Sequence, residues 1–327
     1  MAEWVGAALQ DDMRPRMFEL ARRGEAFALA TIVAADGGPR PVGSQMVITG
    51  GDRSGFLSGG CIEADVASHG REVLKTGEPR VLVYGSGSPF IDIRLPCGGR
   101  LEIVVERVAP DDAASNALQA SMQARRPAWW SSNGRQRWCG PEPRGSCQGE
   151  LRVLRRYDPP QRLIVVGSDP FALAIAGLGA QIGWEAVLLA PFGPAEPPPA
   201  RVGYDRRPLH LSLRELAPDR WTAIAVATHD LAGDEAALLP ALLSDAGYVG
   251  ALGSRRKIQE RVERLREAGL TQASIDRLHT PIGLAIGAQN PWEVAVAVAA
   301  QIIEHNRRAG AADQVPTMEL EDARAAR

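Results

Sequence analysis

Four apolar residues in a row, Leu163-Ile164-Val165-Val166, run straight into Gly167-Ser168-Asp169-Pro170 and a helical pattern over 170–182. A strand without polar alternation offers no face to water, so it belongs inside a parallel sheet covered on both sides. The pattern repeats: strands are expected at 186–189, 223–227 and 248–252, with helices at 235–245 and 258–268. Strands alternating with helices imply right-handed crossovers and a doubly wound sheet. The last helix has a defined start, with Asn290 as N-cap, Pro291 at the first helical position and Glu293 where a capping box places an acid. Residues 161–309 therefore read as a Rossmann-like domain and 310–327 as a frayed, flexible polar tail.

Residues 1–108 read as a separate, smaller α/β domain. It has an amphipathic helix over 11–23, delayed by Pro15, and a buried strand at 26–35. Short strands follow at 45–49 and 54–58, then a helix at 61–75 and strands at 80–84 and 101–106. Residues 109–160 change character, with Trp129, Trp130 and Trp138 followed by a Pro/Gly-rich run, and read as an irregular connector with one strand at 151–155. The expected fold is thus α/β: a small N-terminal domain, then a Rossmann-like doubly wound parallel-sheet domain.

Composition narrows the function classes. A formal net charge of −2 gives no electrostatic reason to expect nucleic acid or an acidic membrane surface as partner. No apolar run approaches the roughly 20 residues of a membrane span, and the N-terminus lacks the basic and apolar regions of a signal peptide. Four cysteines without an export signal read as reduced thiols, and the expected location is cytoplasmic.

Two Cys–Gly–Gly elements stand out. In Ser58-Gly59-Gly60-Cys61-Ile62-Glu63, a strand meets two glycines and then a helix, which places Cys61 in the first helical turn. Unpaired amides and the helix dipole would favour a thiolate there, and Gly59 and Gly60 would let a ligand approach the backbone. The alternative is a small thiol buried behind a tight turn. Leu95-Pro96-Cys97-Gly98-Gly99 echoes this element at the entry to another strand. Cys139 and Cys147 lack paired-knuckle spacing; a four-cysteine zinc site is the minor alternative.

Three further stretches bear on anion binding. Gly253-Ser254-Arg255-Arg256-Lys257 puts three cations at the positive pole of a helix, which a bound phosphate would turn from a cost into a gain; a solvated helix face is the other reading. Arg40, between Pro39 and Pro41, is a lesser candidate for a second anionic contact. The loop Gly167-Ser168-Asp169-Pro170-Phe171-Ala172 departs from the dinucleotide fingerprint, with Asp169 at the middle glycine, and Ala190 stands where the ribose-binding acid is expected. NAD binding is therefore not expected. His229, in Thr228-His229-Asp230, lies where open α/β sheets bind ligands, yet a lone histidine is more often a loop hydrogen-bonder.

Taken in order, PRPVGS (39–44), SGGCIE (58–63), LPCGG (95–99), the Rossmann start, ATHD (227–230), GALGSRRK (250–257) and PIGLAIGAQNPWE (281–293) resemble the XdhC/CoxI family. The resemblance covers residues 26–107 and 162–307. Two departures touch the second domain: GSDPFA stands where family members commonly show GAGHVA, and Ala285 replaces the acid of PIGLDIGA.

The resemblance implies a molybdenum-cofactor chaperone for xanthine dehydrogenase or a related molybdenum hydroxylase, not an enzyme. It would bind molybdopterin as cargo, support its sulfuration with a cysteine desulfurase as donor, and insert it into the target. Cys61 is the expected contact to the molybdenum, a soft thiolate suiting that metal. Cys97, Gly59, Gly60, Arg40, Ser254, Arg255 and Arg256 are the further cofactor-binding candidates. The rival reading is an NAD(P)-dependent oxidoreductase, which rests on fold analogy. Nothing in the pattern fixes oligomeric state, and a homodimer is compatible with it.

Overall fold

The computed structural model describes residues 11–38, 40–86, 98–144, 152–228, 231–253 and 258–311. The chain divides into two units, Met1–Pro159 and Pro160–Arg327.

The first unit is built on one strand that has no water-facing side. In β1 (Phe27–Asp36), Ala28, Ala30 and Ile32 enter one hydrophobic cluster while Phe27 and Leu29 enter another. Period-2 alternation with both faces apolar explains why this stretch reads as a continuous apolar run. It follows α1 (Arg14–Arg22) and precedes β2 (Gln45–Ile48), β3 (Arg53–Gly55), α2 (Glu63–Thr76), β4 (Arg80–Gly85) and β5 (Arg100–Val108). The five strands form an antiparallel sheet in the order β3-β2-β1-β5-β4.

Helix α2 covers one face of this sheet, packing Ile62, Val66 and Val73 against Ile32, Ile48 and Ile103. The other face is covered by elements within the stretch that reads, from sequence, as an irregular connector. Residues 109–160 instead carry α3 (Ala113–Gln123) and a three-stranded antiparallel sheet of β6 (Ala128–Ser132), β7 (Arg137–Gly140) and β8 (Val153–Tyr157). Trp130, Val153 and Tyr157 pack there with Leu29, Val47 and Val104. Glu106, fully buried on the same face, accepts from Trp130 Nε1 at 3.3 Å, Ser132 Oγ at 2.5 Å and Arg137 Nε at 3.1 Å. Trp130 is thus a core residue, and the Pro/Gly-rich flank beside it hides the short strands.

The second unit is the parallel sheet expected from its apolar blocks. Its elements are β9 (Arg162–Val166), α4 (Pro170–Gln181), β10 (Glu185–Leu189), β11 (Gly203–Asp205), α5 (Leu209–Leu216), β12 (Thr222–Val226) and α6 (Leu231–Leu243). They continue with β13 (Tyr248–Ala251), α7 (Ile258–Glu267), α8 (Gln272–Ile275), β14 (Leu278–His279) and α9 (Pro291–Ala311). Six parallel strands run in the order β11-β10-β9-β12-β13-β14, so the direction of winding reverses between β9 and β12. The start of α9 is the capping box read from the sequence: Glu293 N donates to Asn290 Oδ1 at 3.0 Å, and Gln289 N donates to the Glu293 carboxylate at 2.7 Å.

A buried ion pair ties the carboxyl edge of this sheet together. Arg261 of α7 contacts Asp234 of α6 at 2.5 Å, both side chains being under 5% exposed. Arg261 also donates to Thr280 Oγ1 at 2.9 Å and to the Leu252 carbonyl at 3.0 Å, while Thr228 Oγ1 donates to Asp234. Gly253 takes φ +152°, and a Cβ there would lie 2.8 Å from the Arg261 guanidinium. Asp234→Ala is expected to destabilise this unit by about 3–5 kcal/mol, because it strands a buried guanidinium. A lowered urea midpoint checks this, and the double replacement Asp234→Ala with Arg261→Met is expected to recover part of the loss.

Candidate functional site

The antiparallel register of the first unit gathers its glycine loops at one edge of the sheet. Asp36 pairs with Arg100, Gly85 with Arg100, Gln45 with Thr31 and Gly55 with Met46. The end of β3 thus meets the start of β2 beside Thr31, and the ends of β1 and β4 meet the start of β5. Gly37, Gly85 and Gly99 meet there backbone to backbone. A Cβ on Gly99 would fall 2.6 Å from the Asp36 carbonyl oxygen and 2.8 Å from the Gly37 carbonyl, and one on Gly85 would collide with the Gly99 carbonyl.

The loop carrying Cys61 leaves this edge after β3. Leu57 and Ile62, both fully buried, pin its two ends in the core, and Gly59, Gly60 and Cys61 stand exposed between them. Gly60 adopts φ +106°, which a side chain would strain, and no atom lies within 4 Å of where a Cβ on Gly59 or Gly60 would sit. The alternative of a thiol buried behind the turn is thereby set aside: Cys61 is exposed to open space.

Two expectations for this loop are corrected. Helix α2 begins at Glu63 with Ile62 as its N-cap, so Cys61 precedes the helix instead of lying in its first turn. Nor are the surrounding amides unpaired. Gly60 N and Cys61 N donate to Ser58 Oγ at 3.3 and 3.1 Å, and Ile62 N donates to Glu63 Oε2 at 3.2 Å. The Glu63 carboxylate also accepts from Leu57 N at 3.0 Å, Ser58 N at 2.6 Å and the Ser58 hydroxyl at 2.9 Å. An acid from the chain itself thus stands in the first turn of the helix, where a carboxylate is favoured.

Sequence reasoning missed Glu63 because the Ser58–Glu63 separation is longer than a capping box, whose acid stands three residues after the cap. Burial alone would raise the pKa of Glu63, but the bonds from Ser58 and Leu57 outweigh it and hold the carboxyl below its ordinary value.

Of the remaining candidates, Arg40 sits in the loop between β1 and β2, at the same edge. Its guanidinium lies over the Phe56 ring, 4.4 Å from the centroid, and pairs with Asp11. Cys97, Ser254, Arg255, Arg256, Lys257, Cys147 and His229 lie outside the described residues. Cys139 is buried in the first unit, and burial pushes its thiol pKa up to about 11. Among the described residues no group of three or more His, Cys, Asp and Glu side chains could hold a metal ion. A cavity of about 390 Å³ lies beside the β6–β7 hairpin and the start of α3, lined by Asp112, Arg137, Trp138 and Arg144 among others; none of the candidate residues borders it.

In the second unit the residues just past β9 and β12 approach each other closely. Gly167 has φ +149°, and a Cβ there would collide with the Ala227 carbonyl. Asp169 caps α4, accepting from Ala172 N at 2.7 Å, so a carboxylate of the chain itself takes an amide at the start of the helix. Ala190, beyond β10, is buried, and Ala285 is exposed before α9. Among the described residues no helix is long and apolar enough to cross a membrane.

These features define a class: a two-unit α/β protein in which an antiparallel unit with an exposed glycine–cysteine loop precedes a Rossmann-like unit. The XdhC and CoxI family model matches residues 20–85, and the model of the XdhC Rossmann domain matches residues 163–302. The chain belongs to the XdhC and CoxI family. It is 29% identical over 303 residues to the molybdenum cofactor insertion chaperone PaoD of Escherichia coli (strain K12), covering 90% of this chain and 89% of that one. It is 26% identical over 327 residues to a probable xanthine dehydrogenase subunit of Bacillus subtilis (strain 168), covering 87% and 94% respectively. A crystal structure described as a xanthine dehydrogenase from Bacillus halodurans shares the fold, with a TM-score of 0.70 at 22% identity, over 91% of this chain and 96% of that one.

The Glu63 clamp has a pH signature. A carboxyl whose pKa is lowered on folding stabilises the fold fully above its unfolded value, and that contribution disappears as pH falls through the folded value. Glu63→Gln is expected to cost about 1–3 kcal/mol near neutral pH, because donors then face a donor. The difference from the parent protein in urea unfolding is expected to shrink as the pH is lowered from about 7 towards about 3.

Proposed function

We propose that this protein carries molybdenum cofactor to a xanthine dehydrogenase-type hydroxylase, supports its sulfuration and inserts it there, acting as a chaperone and not as a catalyst. The observation that carries the proposal is the exposed Cys61 on a glycine loop whose backbone is open to a ligand. Membership of the XdhC and CoxI family and likeness to PaoD support the choice of cargo. A soft sulfur ligand suits molybdenum, and Gly59 and Gly60 leave room for a bulky pterin beside it. Arg40, at the same edge of the sheet, is proposed to meet an anionic part of the cargo, and Cys97 to flank it.

In the second unit, Ser254, Arg255 and Arg256 are proposed as a further anion contact at the pole of α7, as a Gly–Ser run before a helix allows. The Asp169 cap supports reading this unit as one that does not use NAD. A cysteine desulfurase is the proposed source of the terminal sulfur.

The test is purification from cells that make molybdenum cofactor, with metal and pterin measured in the same sample. The parent protein is expected to retain both, and folded Cys61→Ala to retain about tenfold less or lower still. Parental stoichiometry in that variant, or NAD(H) binding with no pterin retained, would overturn the proposal. Replacing Arg255 and Arg256 together by Ala is expected to weaken binding of phosphate-bearing pterin about tenfold or more; an unchanged dissociation constant would return that stretch to a solvated helix face.

A further inference from the structure

Two guanidiniums, those of Arg40 and Arg155, lie beside the turn at Gly43, and a third, that of Arg14, shares the Tyr157 ring with Arg155. Arg40 lies over Phe56, Arg155 over Tyr157 at 4.4 Å, and Arg14 over Tyr157 at 5.4 Å. Arg14 is neutralised by Asp12 in a bidentate pair, with Nη2 at 2.7 Å and Nε at 2.9 Å from the carboxylate oxygens. Arg155 donates to the Gly43 carbonyl and has no carboxylate partner among the described residues. Its Cγ lies 4.0 Å from the position of a Cβ on Gly43, so it stands directly beside the turn that follows Arg40. Tyr157 is held in turn by a 2.8 Å bond from its hydroxyl to Gln45 at the start of β2.

Arg40 is itself incompletely satisfied. Its Nε is buried without a hydrogen-bond partner, and its one carboxylate among the described residues is Asp11, whose side chain is 73% exposed. Burial first, and then the charge of Arg155, hold its pKa below the ordinary arginine value. Two guanidiniums flattened on aromatic rings lose little freedom on binding, and their forked donors match phosphate oxygens in pairs. One exposed carboxylate carries less charge than a phosphate monoester at neutral pH, and an exposed ion pair contributes little to stability.

We propose that Arg40 and Arg155 form a binding site for a phosphate monoester in the first unit, and that the Asp11 carboxylate occupies it until the ligand arrives. The proposal rests on the Arg40 assignment above but not on the identity of the cargo, so inorganic phosphate serves as the probe. In calorimetric titration of the full chain at low ionic strength, phosphate is expected to bind saturably. Asp11→Asn is expected to tighten binding about two- to fivefold. Arg155→Gln, which removes the charge and keeps a polar side chain, is expected to weaken it about tenfold or more.

Failure of both the parent and Asp11→Asn to bind phosphate overturns the site, as does parental affinity in folded Arg155→Gln. Asp11 is exposed, so its variant keeps the test decisive if Arg155→Gln does not fold. Phosphate binding in a protein that retains no molybdenum cofactor would uphold this site and overturn the cargo reading. Cofactor retention without phosphate binding would do the reverse.

Discussion

The first unit depends on one buried carboxylate. Glu63, in the first turn of α2, turns back to the loop and, with Ser58, fixes every backbone donor from Leu57 to Ile62 except Gly59. Without that acceptor the loop would carry several unpaired amides beside the core, each costing about 1–3 kcal/mol. The consequence for function is positional. With Leu57 and Ile62 sunk in the core and the amides already committed, the three exposed residues are held out as a rigid projection. A thiol on such a loop meets a ligand without the loop having to order first, which lowers the entropic cost of binding.

Much of the second unit is legible from sequence because parallel strands advertise themselves. Val165 and Val166, or Ile224 and Ala225, are buried although they point to opposite faces, so no alternation is needed to find them. The α9 capping box is equally plain, since Asn290, Pro291 and Glu293 act within one turn. The Asp169 cap on α4 is of the same local kind, joining residues three apart.

What the sequence conceals is non-local. Residues 109–160 look irregular because their strands are short and flanked by Pro and Gly, and because Glu106 and Arg137, which fasten them to β5, are far apart in the chain. The start of α2 lies two residues later than expected, since only tertiary structure shows Glu63 turning back to Leu57 and Ser58. The Asp234–Arg261 pair and the placing of Arg155 beside Gly43 are invisible for the same reason: each joins residues that no short spacing rule connects.

The meeting of Gly37, Gly85 and Gly99 has a dynamic consequence. This junction closes only when β1, β4 and β5 are all in register, so fraying of any one of the three strand ends opens it. The contact therefore reports the pairing of all three strand ends at once, while Gly59, a few residues past β3, lies exposed and apart from it. The edge that displays the cysteine thus combines a jointly held base with an open rim.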